Sequence, residues 1–398
     1  MPMTITDKLS LPNGPCLAVG AAVSRGFVTQ FSQRLLRDAK FRSEPALVSL
    51  GYWFRDSAVE RWLARTFPPE RCFVPRGTVF HIPPGNVETN YLYIWLLSVL
   101  VGNRNIVRTP TRESAVTQLA DQLLQELFAE PQFEALQAMN QFVRYGHEEE
   151  ISEYYSSHCD VRIVSGSDAT IQRLRQIPLP PPAVEINLVA KSSFAVLDVA
   201  SVNAASEDQL HGWARGLWQD VVGFEQLACN SIRAVWWLGG QDHGQVQQAR
   251  ERLWRCFEMV ESESSVVWPA AGVVQREGLL DRMGISDVGS EIVSPWGAPV
   301  TRVWLPQPMW CDEWFGGYGV LFETAIESLE DLRPHLSRQQ QTVASAGVSA
   351  ECWRAFLTGP PVSGIDRVVR LGESLNFGAT WDGFDLGRQL TREISLDL

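Results

Sequence analysis

The fold is indicated most clearly by the segment Gly77-Thr-Val-Phe-His-Ile-Pro-Pro-Gly-Asn86. Its apolar half predicts a strand over 78–82, its Pro-Pro-Gly-Asn end predicts a turn, and the apolar run after it predicts a helix over 87–101. The next segment, Val101-Gly-Asn-Arg-Asn-Ile-Val-Arg-Thr-Pro110, predicts a second short strand. A strand, a crossover helix and a strand in this order form a βαβ unit with parallel strands.

Strands and helices continue to alternate after this unit, which favours a parallel sheet with helices on both faces. Residues 1–70 instead predict mixed strands and amphipathic helices, and a second α/β unit begins after Asp198. The further elements predicted before that point are strands at 142–145, 161–164, 184–188 and 194–197, and helices at 113–129, 148–157 and 169–177.

The bulk composition excludes several classes of protein. The chain has 398 residues, 45% hydrophobic and 20% charged, which is enough for two domains with separate cores. Its net charge of −12 and pI near 5.1 argue against a nucleic-acid partner. The longest apolar stretch, 91–101, is too short to span a bilayer, and the N-terminus shows no secretion signal. We therefore expect a cytoplasmic protein without a membrane span.

The cysteines provide the first chemical candidate. All seven are widely spaced without a Cys-x-x-Cys pair, which argues against disulfides. The six histidines lack metal-ligand spacing, which argues against a bound metal. Cys229 differs from the rest because it lies on a polar turn, in Phe224-Glu-Gln-Leu-Ala-Cys-Asn-Ser-Ile-Arg233, between a helix-like stretch and a strand-like run. A thiol placed in this way is a candidate nucleophile.

Further candidate residues lie where predicted strands end. Asn86 is either the N-cap of the following helix or an amide that donates to a developing oxyanion. Arg108 is either a solvated arginine or a ligand of a ribose or phosphate, because doubly wound folds bind ligands at the carboxyl ends of their strands. Gly166 and Ser167 open a helix and form a candidate pyrophosphate site.

Five segments occur in the order seen in a known family. They are Phe80-His-Ile-Pro-Pro-Gly-Asn-Val87, Gly102-Asn-Arg-Asn-Ile-Val-Arg108, Val164-Ser-Gly-Ser-Asp-Ala-Thr170 with Ile177-Pro-Leu-Pro-Pro-Pro182, Gln226-Leu-Ala-Cys-Asn-Ser231, and Trp381-Asp-Gly-Phe-Asp-Leu386. Together they resemble the aldehyde dehydrogenase superfamily, and more closely the LuxC-type acyl-CoA reductases of bacterial bioluminescence. The resemblance covers about residues 75 to 390.

The resemblance implies an aldehyde dehydrogenase-like α/β fold. We expect a Rossmann-type cofactor-binding domain over 1–200 and an α/β catalytic domain over 201–375 that carries Cys229. We expect the segment 376–398 to pack back on the cofactor-binding domain or to form an oligomer interface.

The resemblance also assigns roles by position. Cys229 matches the family's acyl-accepting nucleophile, and Asn86 matches its oxyanion-stabilising amide. Glu185, in Val184-Glu-Ile-Asn-Leu-Val-Ala-Lys191, resembles a block whose glutamate is a general base, although the paired glycines of that block are absent here.

The same resemblance predicts the cofactor. Glu313, in Glu313-Trp-Phe-Gly316, resembles the segment that holds the nicotinamide ribose, and Arg108 occupies the place of a ribose-binding lysine. Such dehydrogenases often carry a carboxylate at the position of Thr111 that repels a 2′-phosphate. Here that residue is neutral and Arg112 follows it, so we expect NADPH rather than NADH.

The implied function is reduction of an acyl thioester to an aldehyde through a covalent thioester on Cys229. The acyl group is carried by CoA or an acyl carrier protein, an acyl-activating protein is a candidate partner, and we expect a homo-oligomer. Two alternatives stay open. One is an NAD(P)-dependent aldehyde dehydrogenase that oxidises an aldehyde, and the other is a non-catalytic or acyl-transfer subunit that keeps the fold.

Overall fold

The computed structural model describes residues 9–84, 89–111, 114–146, 148–285, 289–294, 297–310, 316–378 and 380–396. The chain divides into two compact units. Met1–Ala190 and Asn376–Leu398 form the first unit, and Lys191–Leu375 forms the second. The boundary predicted at residue 200 therefore differs from the structural one, which lies before strand 192–198 rather than after it.

The first unit contains the elements up to residue 190. They are α1 (Ala22–Arg37), α2 (Ala39–Arg42), α3 (Pro45–Trp53), α4 (Asp56–Thr66), β1 (Cys72–Pro75), β2 (Thr78–Ile82), α5 (Asn90–Leu100), β3 (Arg104–Arg108), α6 (Ala115–Phe128), α7 (Glu134–Met139), β4 (Asn140–Val143), α8 (Glu149–Ser157), β5 (Val161–Gly166), α9 (Asp168–Arg175) and β6 (Val184–Val189).

Among the described residues, the second unit contains the next twelve α-helices and strands, after which the chain returns to the first unit. The twelve are β7 (Ser192–Asp198), α10 (Val199–Ala204), α11 (Glu207–Val222), β8 (Ile232–Leu238), α12 (His243–Ser262), α13 (Ala270–Ile285), β9 (Glu291–Ile292), β10 (Thr301–Trp304), β11 (Val320–Ile326), β12 (Gln340–Ala346), α14 (Ala350–Thr358) and β13 (Arg367–Arg370). The returning elements are β14 (Thr380–Trp381), β15 (Phe384–Asp385), α15 (Leu386–Gln389) and β16 (Thr391–Ile394).

The sheet of the first unit has the strand order β4-β3-β2-β5-β6, and all four neighbouring pairs are parallel. Strands are added on one side of β2 and then on the other, so the order reverses between β2 and β5. In doubly wound sheets the ligand crevice lies at the carboxyl ends of the strands at this point. The predicted βαβ unit is confirmed, with β2 at the predicted bounds.

The helix α5 occupies the centre of this unit. Ten of its eleven residues are buried, which explains why its sequence is apolar on every face rather than along one stripe. Trp95 is fully buried and its Nε1 donates to Asn140 Oδ1 at 2.6 Å. That contact links α5 to β4.

The region before β1 differs from its prediction. Across residues 9–71 the structure contains helices and no strand, so the mixed strands predicted there are wrong for that stretch. The reason is visible in α1, where Phe27, Phe31 and Leu35 recur every four residues and are fully buried. This spacing places them on one helical face.

The returning C-terminal segment pairs with the first unit. β16 lies antiparallel to β1, with Cys72 opposite Ile394. Asn103 Nδ2 also donates to the carbonyl of Leu390 at 2.9 Å.

The sheet of the second unit has the order β13-β12-β7-β8-β11-β10-β9, and β9 alone is antiparallel to its neighbour. Glu323 on β11 is fully buried beneath α12. Its Oε2 accepts from Trp237 Nε1 at 3.0 Å, Trp254 Nε1 at 2.8 Å and Arg250 Nε at 2.9 Å. A buried carboxylate needs such partners, so this cluster fixes how α12 packs on the sheet.

None of the described helices combines the length and apolarity needed to cross a membrane. The described part of the chain also contains no group of three or more His, Cys, Asp or Glu side chains arranged to hold a metal ion.

Candidate active site

Cys229 lies on the turn between α11 and β8, where the sequence predicts it, and is half-buried. The side-chain amide of Gln341 on β12 donates from Nε2 to Cys229 Sγ, with an N–S distance of 3.5 Å. The carbonyl of Cys229 accepts from Ser193 Oγ on β7 at 2.8 Å. Two neighbouring strands of the sheet therefore contact Cys229. β12 contacts its side chain and β7 contacts its backbone.

The backbone that leads to Cys229 is strained. Phe224, Glu225 and Gln226 have φ values of 54°, 56° and 59°, which is the left-handed region. A non-glycine residue there costs about 1–2 kcal/mol, and three in succession need strong support from the surrounding structure.

The side chain of Gln226 supplies much of that support. It is buried, and its Nε2 donates to the carbonyls of Ile232 and Val320, each at 2.9 Å. Its Oε1 accepts from the N–H of Gly319, also at 2.9 Å. One amide thus connects the turn to the start of β8 and to the start of β11. Strain that is held in this way is typical of functional sites.

Three of the other described cysteines differ from Cys229. Burial raises the pKa of the Cys159 thiol to about 12, and burial also raises that of Cys256. Both therefore stay protonated at neutral pH and are poor nucleophiles. Cys352 is exposed on α14, away from any such turn.

Two of the predicted cofactor residues, Arg108 and Thr111, lie at the carboxyl end of the first sheet. Arg108 ends β3, and its guanidinium lies 4.7 Å from the ring centre of Tyr145. It donates from Nε to the Tyr145 carbonyl at 3.4 Å and from Nη2 to the Gly146 carbonyl. These two bonds use two of the five N–H donors of the guanidinium. Thr111 lies three residues further on and is exposed.

The second part of the predicted cofactor site is the β5–α9 turn. Gly166 is the last residue of β5, and Ser167 is the N-cap of α9, where its Oγ accepts from the N–H of Thr170 at 3.3 Å. Asp168 occupies the first turn of the helix. The structure therefore places these residues and Arg108 at the ends of strands in one sheet, two positions apart in its order.

Glu185 lies on β6, and two arginine side chains bind its carboxylate. Its carboxylate binds Arg162, whose side chain is buried, and accepts from Arg175 Nε at 3.2 Å and Asn187 Nδ2 at 2.8 Å. Burial acts to raise the pKa of Glu185, but the hydrogen bonds from Asn187 and Arg162 outweigh it, so the pKa is below its ordinary value. Glu185 is consequently a paired carboxylate at neutral pH. Sequence reasoning did not find these partners.

Three predicted site residues, Asn86, Arg112 and Glu313, lie outside the described residues. Their roles remain predictions. Sequence reasoning in turn missed Gln341 and the role of Gln226. Gln226 adjoins the recognised nucleophile segment, whereas Gln341 is 112 residues from Cys229 and no local pattern marks it.

The model of the acyl-CoA reductase (LuxC) family matches residues 56–271. That match covers 216 of the 398 residues (271 − 56 + 1), which is more than half of the chain. The chain belongs to the acyl-CoA reductase (LuxC) family. The predicted family is thereby confirmed, and with it the assignment to the oxidoreductases. A comparison with curated proteins finds no match.

Solved structures similar to this LuxC-family chain are aldehyde dehydrogenases. Lactaldehyde dehydrogenase from Escherichia coli is 14% identical, with a TM-score of 0.63 over 94% of this chain and 83% of that one. Aldehyde dehydrogenase 21 from Physcomitrella patens is 10% identical, with a TM-score of 0.64 over 95% and 86%. The 1-pyrroline-5-carboxylate dehydrogenase of Thermus thermophilus is 15% identical, with a TM-score of 0.61 over 94% and 80%. These similarities confirm the predicted aldehyde dehydrogenase-like fold.

The support from Gln226 can be tested by Gln226→Glu. The change keeps the shape but replaces two N–H donors with an oxygen that faces the Ile232 and Val320 carbonyls. We expect a loss of about 2–5 kcal/mol of unfolding free energy, because a charged group is left buried without its partners. Urea unfolding followed by tryptophan fluorescence measures it. Gln209→Glu, an exposed change on α11, is the control, and equal midpoints for both variants would contradict the assigned support.

Proposed function

We propose that the protein reduces an acyl thioester to an aldehyde, with a nicotinamide cofactor and a covalent thioester on Cys229. The observation that carries the proposal is the Cys229 turn. A half-buried thiol lies on a strained backbone held by Gln226, with the amide of Gln341 donating to its sulfur. Family membership supports an acyl thioester as the substrate class.

The first chemical step is acylation of Cys229. The Cys229 thiolate attacks the carbonyl carbon of the thioester, the bond from that carbon to the carrier sulfur breaks, and the carrier leaves as a thiolate that takes a proton from water. The N–H of Gln341 stabilises the negative charge on Cys229 Sγ before the attack. Asn86 and the backbone N–H of Cys229 are the proposed donors to the oxyanion that forms on the carbonyl oxygen.

The residues of the first unit fit a dinucleotide. The sheet has the strand order and the reversal point at which doubly wound folds bind dinucleotides. The β5–α9 turn at Gly166 and Ser167 offers backbone N–H groups for a pyrophosphate. Arg108 ends β3, two positions away in the same sheet, and would meet the adenosine ribose together with Thr111. A reduced nicotinamide held by these residues would supply hydride for the reduction. The Cys229 sulfur would be the group that leaves the acyl carbon as a thiolate, with release of the aldehyde.

This direction of reaction needs no base to activate water. That no base is required agrees with the contacts of Glu185, whose carboxylate is paired with Arg162 and Arg175. To carry a proton, Glu185 would first have to break these contacts. We therefore assign Glu185 no proton transfer in the reduction, and its role as a general base applies to the alternative, in which an aldehyde is oxidised and the acyl enzyme is hydrolysed.

The proposed reaction also involves an acyl carrier and partner proteins. The carrier of the acyl group is CoA or an acyl carrier protein. An acyl-activating protein that delivers the acyl group and assembly into a homo-oligomer belong to the same proposal.

Cys229→Ala tests the nucleophile. We expect wild-type protein to gain the mass of one acyl group on incubation with acetyl-, octanoyl- or tetradecanoyl-CoA, and the variant to gain none, because the attacking sulfur is absent. Intact-mass spectrometry measures both. Cys352→Ala removes an exposed thiol and should acylate like wild type. Thioester-dependent NADPH oxidation by Cys229→Ala would rule out the mechanism, and oxidation of aldehyde with NADP in the absence of CoA would favour the dehydrogenase alternative.

Gln341→Leu tests the donor to the sulfur. The change removes the N–H without adding a charge. A hydrogen bond to a charged group is worth about 1.5–3 kcal/mol, so we expect acylation at neutral pH to slow by about tenfold or more. Stopped-flow measurement of carrier-thiol release gives the rate. The matched control is Gln339→Leu, an exposed position two residues earlier. If both variants keep the wild-type rate, Gln341 plays no part in the chemistry.

The choice of cofactor is tested by titration with NADPH and NADH. We expect tighter binding of NADPH, because Arg108 and Arg112 can meet a 2′-phosphate while the neutral Thr111 does not repel it. Arg108→Ala and Arg112→Ala should each weaken NADPH binding more than NADH binding, as measured by quenching of tryptophan fluorescence. Arg25→Ala, an exposed change on α1, is the control. Tighter binding of NADH to wild-type protein would refute this choice.

A further inference from the structure

A buried carboxylate on α11 lies outside the machinery described so far. Asp220 is 1% exposed, and its two oxygens accept from backbone N–H groups of a distant part of the chain. Oδ2 accepts from Gly372 at 2.6 Å, and Oδ1 accepts from Ser374 at 3.0 Å. Both donors belong to residues 371–375, which we call the anchor segment.

The face of α11 around Asp220 is shaped to receive the anchor segment. Gly216 and Gly223 lie four residues before and three residues after it, so the three positions share one helical face. A Cβ on Gly216 would lie 2.7 Å from the carbonyl carbon of Leu371, and one on Gly223 would lie 2.3 Å from Leu375 Cδ1. The absence of a side chain at both positions allows the anchor segment to lie directly on the helix.

The opposite side of the anchor segment reaches the nucleophile turn. The carbonyl of Ser374 accepts from Asn230 Nδ2 at 2.7 Å. Asn230 is buried and directly follows Cys229. Arg367 on β13 also donates from Nη2 to the Ser374 carbonyl. A continuous chain of hydrogen bonds therefore runs from Asp220 through Ser374 to the residue next to the nucleophile.

We propose that Asp220 is a positioning residue for Cys229: its carboxylate fixes the anchor segment, and the Ser374 carbonyl in turn holds Asn230. The inference rests on the proposed function only for its effect on acylation. The ordering of the turn is a property of the fold and can be measured separately.

The arrangement makes the positioning depend on pH. Burial raises the pKa of Asp220 to about 6, against the opposing effects of the Gly372 and Ser374 hydrogen bonds and of the Arg367 charge. The ionised carboxylate offers an acceptor to each N–H, whereas protonation places a hydrogen on one oxygen. The two hydrogen bonds from Gly372 and Ser374 are therefore strongest above about pH 6 and weaken below it.

The effect on stability has the opposite sign. An aspartate in the unfolded chain has a pKa near 3.9, so folded protein binds the proton more tightly. The contribution of Asp220 to stability is present in full below about pH 4 and is lost as pH rises through about 6. Above about pH 6 the ionised Asp220 carboxylate therefore holds the anchor segment but lowers the stability of the folded protein. Functional sites often carry such a cost in stability.

Hydrogen exchange of the full-length protein tests the chain of contacts. We compare wild type with Asp220→Asn, Asn230→Ala and Asp208→Asn, following peptides that cover 226–231 and 371–375 between pH 5 and 8. Asp220→Asn should speed exchange in both peptides at pH 7–8, and this difference from wild type should disappear as pH falls below 6. Asn230→Ala should speed exchange in 226–231 alone. Asp208→Asn, an exposed change on the same helix, should have no effect.

Acylation by octanoyl-CoA gives the kinetic readout. Asp220→Asn should acylate about tenfold or more slowly than wild type at pH 7–8 and at a similar rate below pH 5.5, because misplacement of a reacting group costs rate steeply. Asn230→Ala should be slow at every pH, and it keeps the test available if Asp220→Asn does not fold. Faster exchange in 371–375 alone, a rate ratio that does not change with pH, or wild-type behaviour of Asn230→Ala overturns the inference. Wild-type protein that is never acylated overturns the proposed function instead, and the exchange data then decide the role of Asp220.

Discussion

The site depends on one buried amide. The backbone at Phe224, Glu225 and Gln226 enters the left-handed region three times in succession, which costs a few kcal/mol in total. The side chain of Gln226 offsets this by bonding to Ile232 at the start of β8 and to Gly319 and Val320 where β11 begins. Each of its polar atoms is satisfied, so the amide fixes a geometry that the backbone would not otherwise adopt. The position of Cys229 follows from that geometry.

The elements that carry the site were predictable, because their signals are local. An apolar run, a Pro-Pro-Gly turn and a fully apolar helical stretch mark the βαβ unit in the sequence. Its elements β2, α5 and β3 all lie near their predicted positions. The turn of Cys229 was likewise recognisable from the polar residues between a helix and a strand. The division between the units was predicted less well, since β7 directly follows β6 in the chain but pairs in the second sheet.

The partners of the site residues were not predictable, because they come from remote parts of the chain. Gln341 is 112 residues from Cys229, and Ser374 is 144 residues from Asn230. Glu185 shows the same limit from another side. Its place in the sequence resembled that of a general base, but the two arginines that pair with it are not marked by any motif. A local motif predicts the position of a residue in the fold, whereas tertiary packing determines which side chains contact it.

The nature of the group beside Cys229 Sγ has a chemical consequence. A cation there would favour the thiolate strongly but would also lower its nucleophilicity, because reactivity falls as thiol pKa falls. The amide of Gln341 is a neutral dipole, so it favours the thiolate without binding it as an ion pair would. In the proposed reaction, the same N–H would face the sulfur again when the carbon–sulfur bond breaks and negative charge returns to it. One contact can therefore assist both the formation of the acyl enzyme and the release of the aldehyde, which is what a reaction that makes and breaks the same bond requires.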